Sequence, residues 1–281
     1  MGRQDLTGAR VLVTGATGTF GRAITEALQG KGARVVGLDL RPDDDPARPV
    51  LACDITSQAS VEEAMPAAVE LLGGLDILVN NAGIGGPAPA ALPPDDVVRQ
   101  QLDVNLLGTW RVSAAAVPAL VESRGRVVVV ASRMAVMPLP LAAAYGVSKR
   151  SVVAYADALR LELAPLVTVT TVYPSMVRSP IHATTAEAGL SLEGVSRFEP
   201  LEGVVATVVE ACTATPARRD MPTSPRGRVE FFLARHAPVL VDKIVLKTVA
   251  GRIASGAFDD APLAAGLVDR YRRLTQGGTT R

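Results

Sequence analysis

Tyr145 and Lys149 are separated by three residues, Gly146, Val147 and Ser148. Residues four apart on a helix share a face, so this spacing sets a phenol beside an ammonium. A free tyrosine titrates near pH ~10 and is a poor base at neutral pH. A neighbouring positive charge favours the phenolate and brings that value down. The phenol then acts as general base toward an alcohol, or as general acid toward a ketone. Ser132 follows the apolar run 126–131, from where its hydroxyl can hold a substrate oxygen beside Tyr145. Such a Tyr–Lys pair alone is common on ordinary helix faces. Its weight here comes from a second motif upstream.

That motif is Val11-Leu-Val-Thr-Gly-Ala-Thr-Gly-Thr-Phe-Gly21. Gly15, Gly18 and Gly21 let the backbone turn tightly and approach a pyrophosphate. The helix that follows offers free N–H groups and the positive end of its dipole. Gly15, Thr17, Gly18, Thr19 and Phe20 are the expected contacts. A Gly-rich stretch says little alone, but this one has the strand–turn–helix setting of a dinucleotide site. Asp39 follows Gly21 by 18 residues, at the end of the next strand. A carboxylate there accepts hydrogen bonds from an adenosine ribose and repels a 2′-phosphate. NAD is therefore expected over NADP, with Arg41 leaving the phosphorylated form open. No Gly-Lys-Ser/Thr follows the turn, which excludes a P-loop.

Strand-like segments lie at 10–13, 34–39, 49–53, 75–79, 126–130 and 167–173, and helical ones at 20–29, 61–72, 97–121, 143–164 and 201–212. This alternation predicts an α/β fold: a doubly wound parallel sheet of Rossmann type in three αβα layers. The motifs all fall at strand carboxyl ends, where such sheets bind ligands. Residues 41–49 and 85–94 read as loops and 175–199 as a long mobile loop with some helix. The stretch 228–252 reads as one or two helices, apolar and basic. Residues 1–225 are expected to form the dinucleotide-binding and catalytic domain, and 226–281 a helical extension packed on it.

Composition narrows the field. Apolar residues make up 48% and aromatics 4% of the 281 residues, which suits a buried sheet under small-residue helices. A net charge of +1 gives no field for a nucleic-acid partner. Two histidines with Cys53 and Cys212 offer no zinc ligand set, so no metal is expected. Unpaired cysteines suit a reducing, cytoplasmic setting. Residues 1–6 lack an apolar core, so no signal peptide is expected. No run of about 18 apolar residues suggests a spanning helix.

On these residues the chain resembles the short-chain dehydrogenases/reductases, in their single-domain branch. The turn at 14–21, Asn80-Asn-Ala-Gly83, Asn105 in Asp-Val-Asn-Leu, Ser132 and Tyr145-Gly-Val-Ser-Lys149 match in order and spacing, across residues 8–180. The resemblance implies an NAD(P)-dependent oxidoreductase acting on CH–OH and C=O groups, a ketoreductase type. It implies that Lys149 also bonds the nicotinamide ribose and that Asn105 completes a proton relay. It places Asp54 and Ile55 beside the adenine and Asn81, Ala82 and Gly83 along the cofactor. Pro174 to Ser179 would meet the carboxamide, Val177 through its backbone. It implies a homodimer or homotetramer through helices 97–121 and 143–164. Three departures stand out. Thr19 replaces a usual glycine, Ser175 follows Pro174 where glycine is usual, and the last strand survives only as 218–222.

Substrate lining is expected from 85–91, 134–144 and 179–198. Residues 134–141 are apolar, which suits a hydrophobic ketone or alcohol such as a lipid, terpenoid, steroid or polyketide. Arg133 is expected to point at substrate or solvent, and His182 to be a surface residue. The tail 228–252 is expected to cover the cleft or a subunit contact, with a membrane-surface helix as the other option. Two other functions stay open: a nucleotide-binding sensor or scaffold without turnover, and a nucleotide-sugar epimerase or dehydratase.

Overall fold

The computed structural model describes residues 2–179, 181, 185, 187, 188, 190 and 198–277. In chain order the strands are β1 Gly2–Arg3, β2 Arg10–Thr14, β3 Arg34–Asp39, β4 Val50–Ala52, β5 Ile77–Asn80, β6 Arg126–Val130, β7 Thr168–Tyr173, β8 Ala214–Thr215 and β9 Asp220–Pro222. The helices are α1 Thr19–Gln29, α2 Gln58–Leu72, α3 Asp96–Leu102, α4 Thr109–Ser123, α5 Ala143–Leu163, α6 Leu201–Thr213, α7 Pro225–His236, α8 Pro238–Ala254 and α9 Ala265–Gly277. A π-helical turn, Asp103–Gly108, joins α3 to α4.

The described residues form a seven-stranded sheet in the order β4-β3-β2-β5-β6-β7-β9, with every neighbouring pair parallel. The chain runs outward from β2 to β4 and then returns to β5. The order therefore reverses between β2 and β5, and a crevice opens there at the carboxyl ends. The doubly wound, Rossmann-type architecture expected from the alternation is the one observed.

Side chains alternate across each strand, and the alternation builds two cores. Leu12, Leu38, Leu78, Val127 and Val129 face α2, α4 and α5. Val11, Val13, Ile77, Val79, Val128 and Val130 face α1 and α6. Each such fully buried aliphatic side chain contributes roughly 1.5–3 kcal/mol of transfer free energy. A third, smaller cluster lies apart from the sheet. Val249, Ile253, Phe258, Ala264 and Val268 of the C-terminal segment enclose Leu190 and take up Leu141, Ala188 and Tyr271 at their edge.

Several boundaries differ from expectation for local reasons. Helix α2 starts at Gln58, three residues before 61, because the Ser57 side chain accepts the Ser60 N–H as a cap. Helix α7 starts at Pro225, where Ser224 caps Gly227 and proline loses no needed donor. The faint last strand is present as Asp220–Pro222 on β7. Asp96–Ser123 is long and apolar enough, by length and composition, to cross a membrane. Its stripe of Val112, Ala116 and Leu120 is fully buried on the sheet, which accounts for that apolarity.

Candidate active site

Ser132 sits where β6 ends. Its backbone is extended, and its hydroxyl accepts the Met134 N–H at 3.1 Å, opening a short 3-10 turn, Arg133–Ala135. The Tyr145 phenol reaches this hydroxyl from the first turn of α5 and is hydrogen-bonded to it. Burial pushes the phenol's pKa up, while the bond to Ser132 pulls it down; the upward effect wins, so the phenol's pKa is raised here and not lowered as the Tyr–Lys spacing led us to expect. Lys149 lies one turn along the helix. Its ammonium is buried, donates to the Val130 carbonyl at 3.1 Å and stands 5.9 Å from the Tyr145 ring centroid. Burial lowers its pKa from 10.5 to about 8.

Asn105 is a buried polar residue within a helical stretch, and the π turn accounts for it. The widened turn presents the Asn105 amide to a neighbouring loop. Its Nδ2 donates to the Ile84 carbonyl and to Ser148 Oγ, each at 2.9 Å, and its Oδ1 accepts the Ile84 N–H at 2.8 Å. Thr109 Oγ1 donates to the Asn105 carbonyl at 3.0 Å, which occupies a backbone acceptor that the π turn releases. Ser148 passes the link on to the Tyr145 carbonyl at 2.9 Å. A Cβ at Gly83 would stand 3.1 Å from both Asn105 Oδ1 and Lys149 Nζ. Glycine there lets the strand end pass between the two groups.

The glycine turn closes the other side of the crevice. Gly15 has φ +65°, and a Cβ on it would meet the Ala82 Cα at 2.8 Å. Thr14 Oγ1 accepts the Asn81 and Ala82 N–H groups, each at 3.0 Å, and Asn81 Nδ2 donates to the Thr14 carbonyl at 3.0 Å. The ends of β2 and β5 are thereby stitched together. Gly18 heads α1 with no side-chain cap, so the first-turn N–H groups at Thr19 and Phe20 face outward. The Asp39 carboxylate accepts the Thr17 N–H at 3.0 Å and the Arg41 N–H at 3.2 Å. It therefore sits against the turn. Asp54 caps its own loop, accepting from Thr56 N and Oγ1 at 2.9 and 2.7 Å. Ile55 is buried against Gly108 of the π turn, so its side chain is largely taken up by the protein itself.

Pro174 and Val177 leave β7 as buried residues, and Ser175 N–H donates to Glu199 at 2.6 Å. Ser132, Tyr145, Lys149 and Asn105 are thus brought together. Gly15, Thr17, Gly18, Asp39, Asn81, Ala82 and Gly83 follow or end the neighbouring strands β2, β3 and β5, at the same edge of the sheet. One expectation is narrowed: the Arg133 side chain is mostly buried and is not turned to solvent. Its guanidinium pairs with Glu230 of α7 at 2.9 Å, both side chains being mostly buried. His182 and most of the expected lining at 179–198 lie outside the described residues.

Nothing in the sequence pointed to Glu199 or Glu230, nor to the backbone conformation of Leu141, which lies in the expected lining. Leu141 has φ +66°, an uncommon conformation for a bulky residue, just before α5. A cleft of about 340 Å³ runs along the loop after β5, lined by Ile84, Gly86, Pro89, Gln101 and Leu263. A larger groove of about 680 Å³ lies between α6, β9 and α7, and none of Ser132, Tyr145 or Lys149 lines it.

The family model for short chain dehydrogenase matches residues 9–189. A 3-ketodihydrosphingosine reductase of Bacteroides thetaiotaomicron is 31% identical over 55% of this chain, and the match spans 58% of that relative's length. The oxidoreductase UcpA of Escherichia coli is 29% identical over 82% of this chain and 88% of its own. A 3-ketoacyl-(acyl-carrier-protein) reductase from Brucella melitensis, solved with NADH, superposes with a TM-score of 0.68. It is 27% identical, covering 78% of this chain and 98% of its own.

Proposed function

The chain belongs to the short-chain dehydrogenase family, and on that premise we propose that it moves a hydride between NAD(H) and an apolar alcohol or ketone, with Tyr145 as the proton-transferring residue. The observation that carries this reading is the buried contact of the Tyr145 phenol with Ser132, with the Lys149 ammonium beside the same ring.

The residues fit a dinucleotide. Gly18 leaves the head of α1 open, with only the Gly15 carbonyl near its missing Cβ, at 3.4 Å. When bound, the nicotinamide supplies or accepts the hydride. Ser132 Oγ orients the substrate oxygen toward the phenol. Tyr145 donates its proton to that oxygen in reduction and takes it back in oxidation. Lys149 favours the phenolate by its charge, against the burial that raises the phenol's pKa. Asn105 and Ser148 tie the first turn of α5, which carries the phenol, to the Ile84 loop.

The preference for NAD rests on Asp39. Its carboxylate faces the turn, where a 2′-phosphate would meet its charge. Two nearby arginines are engaged elsewhere, while Arg41, two residues after Asp39, keeps the phosphorylated form open. Arg22 is bound to Asp43 at 2.7 Å, and Arg48 to Glu26 and Asp45 at 2.6 and 2.8 Å. The apolar run 134–141 favours a hydrophobic substrate.

The test is NADH consumption against a panel of ketones. Tyr145→Phe is expected to cut kcat by about 10²–10⁴ while NADH still binds. NADH binding with no ketone turned over by the wild type would instead support a nucleotide-binding sensor.

A further inference from the structure

Two contacts tie the C-terminal helices to the site. The first is the Arg133–Glu230 ion pair at 2.9 Å, with the two side chains only 14% and 12% exposed. Arg133 directly follows Ser132. Its N–H donates to the Pro174 carbonyl at 2.8 Å, and its carbonyl accepts the Val136 and Met137 N–H groups. It is therefore the backbone pivot of the turn that carries the serine. Glu230 comes from a helix fixed independently. Ser224 caps α7, and Phe231 packs edge-on against Tyr173 at 4.8 Å between centroids. Arg226 holds the other Glu230 oxygen at 2.8 Å. The second contact is Leu141, four residues before Tyr145, which seats in the cluster formed by α8 and α9. The segment after β9 thus grips both partners of the phenol–hydroxyl pair.

We propose that Glu230 is a positioning residue: it acts through the planar fork of Arg133 to hold Ser132 where the Tyr145 phenol can share a substrate oxygen with it. The inference rests on the dehydrogenase reading above. A guanidinium with five donors in a rigid frame fixes orientation as well as charge. Removing one member of a buried ion pair weakens the hold on the segment that bears the other. For Arg133 that segment is the serine turn, and small misplacements of reacting groups are costly in rate.

The experiment is steady-state ketone reduction by Glu230→Gln, with NADH affinity and melting temperature measured alongside. The expected result is a kcat lower by about tenfold, with NADH affinity unchanged and most of the rate recovered in Glu230→Asp. In a double-mutant cycle, Arg133→Met with Glu230→Gln is expected to lose no more than Arg133→Met alone, because both act through one contact. An unchanged kcat in Glu230→Gln overturns the proposal, whatever happens to the melting temperature. Losses that multiply in the double mutant overturn it too. Should Glu230→Gln not fold, Arg133→Lys keeps the charge and loses the fork: a lowered kcat supports the role and an unchanged one overturns it. A wild type that binds NADH but reduces no ketone overturns the dehydrogenase reading, and the role of Glu230 with it.

Discussion

The two turns that frame the site are held in opposite ways. The glycine turn after β2 is set by backbone proximity: Gly15 against Ala82, Gly21 against Gly15, and two N–H groups on Thr14 Oγ1. The serine turn after β6 is braced by a side-chain ion pair to a helix almost a hundred residues away, with Arg133 and Glu230 separated by 97 positions. The first device needs only the local chain and the neighbouring strand. The second needs a segment that lies beyond the last strand of the sheet. The geometry of the glycine turn is therefore encoded in the motif, while that of the serine turn involves the C-terminal helices.

The largest effect that tests this contrast is on the backbone-held side. A Cβ at Gly21 would fall 2.0 Å from the Gly15 carbonyl oxygen, and no flexible side chain is there to yield. Gly21→Ala is expected to destabilise the protein by about 3 kcal/mol or more. For a chain of this size that lowers the melting temperature by roughly 10 °C. Calorimetry checks it. A variant as stable as the parent would show that this turn tolerates rearrangement and that the contrast is false.

A smaller effect, readable with pH, distinguishes the serine side by its titratable groups. Burial lowers Lys149 from 10.5 to about 8 in the folded chain. Below about 8 both folded and unfolded forms carry the proton, and the fold bears the cost of a buried charge. Between about 8 and 10.5 the unfolded chain holds more protons, so this residue's contribution to stability rises with pH. Activity moves the other way. The ammonium that favours the phenolate is lost above about 8, so kcat/KM for ketone reduction is expected to fall through that value. Lys149→Met should remove both slopes. A rate that stays flat to pH ~10 would take the Lys149 charge out of the chemistry.

Legibility in the sequence follows the same division. The parallel strand–helix alternation, the turn and the Ser–Tyr–Lys spacing were readable because each depends on short spacings: period two in strands, four on α5, and glycines at 15, 18 and 21. Asn105 was readable as an oddity, but the π turn that justifies it was not, because it forms against the Ile84 loop. The Arg133–Glu230 pair had no local sign. Both residues are ordinary charges in their own segments, and only the docking of α7 through Phe231 brings them together. Leu141 was equally silent, since nothing in its neighbours announces a positive φ.

The smallest expected effect sharpens the contrast within the glycine turn itself. Gly15 and Gly21 are required by the protein's own backbone, but Gly18 is not. Its φ is −71°, and a Cβ there would meet only the Gly15 carbonyl at 3.4 Å, an ordinary contact. Whatever requires glycine at this exposed helix head must then come from outside the chain. Gly18→Ala is expected to cost about 1 kcal/mol or less of stability, alanine being a poorer helix N-cap than glycine, and thus to cost far less than Gly21→Ala. The same methyl group would stand over the first-turn N–H groups that a pyrophosphate approaches. Isothermal titration should show NADH affinity weakened by about tenfold, equal to about 1.4 kcal/mol. Loss of stability without loss of affinity would make all three glycines architectural, and the turn would then carry no specific sign of a nucleotide.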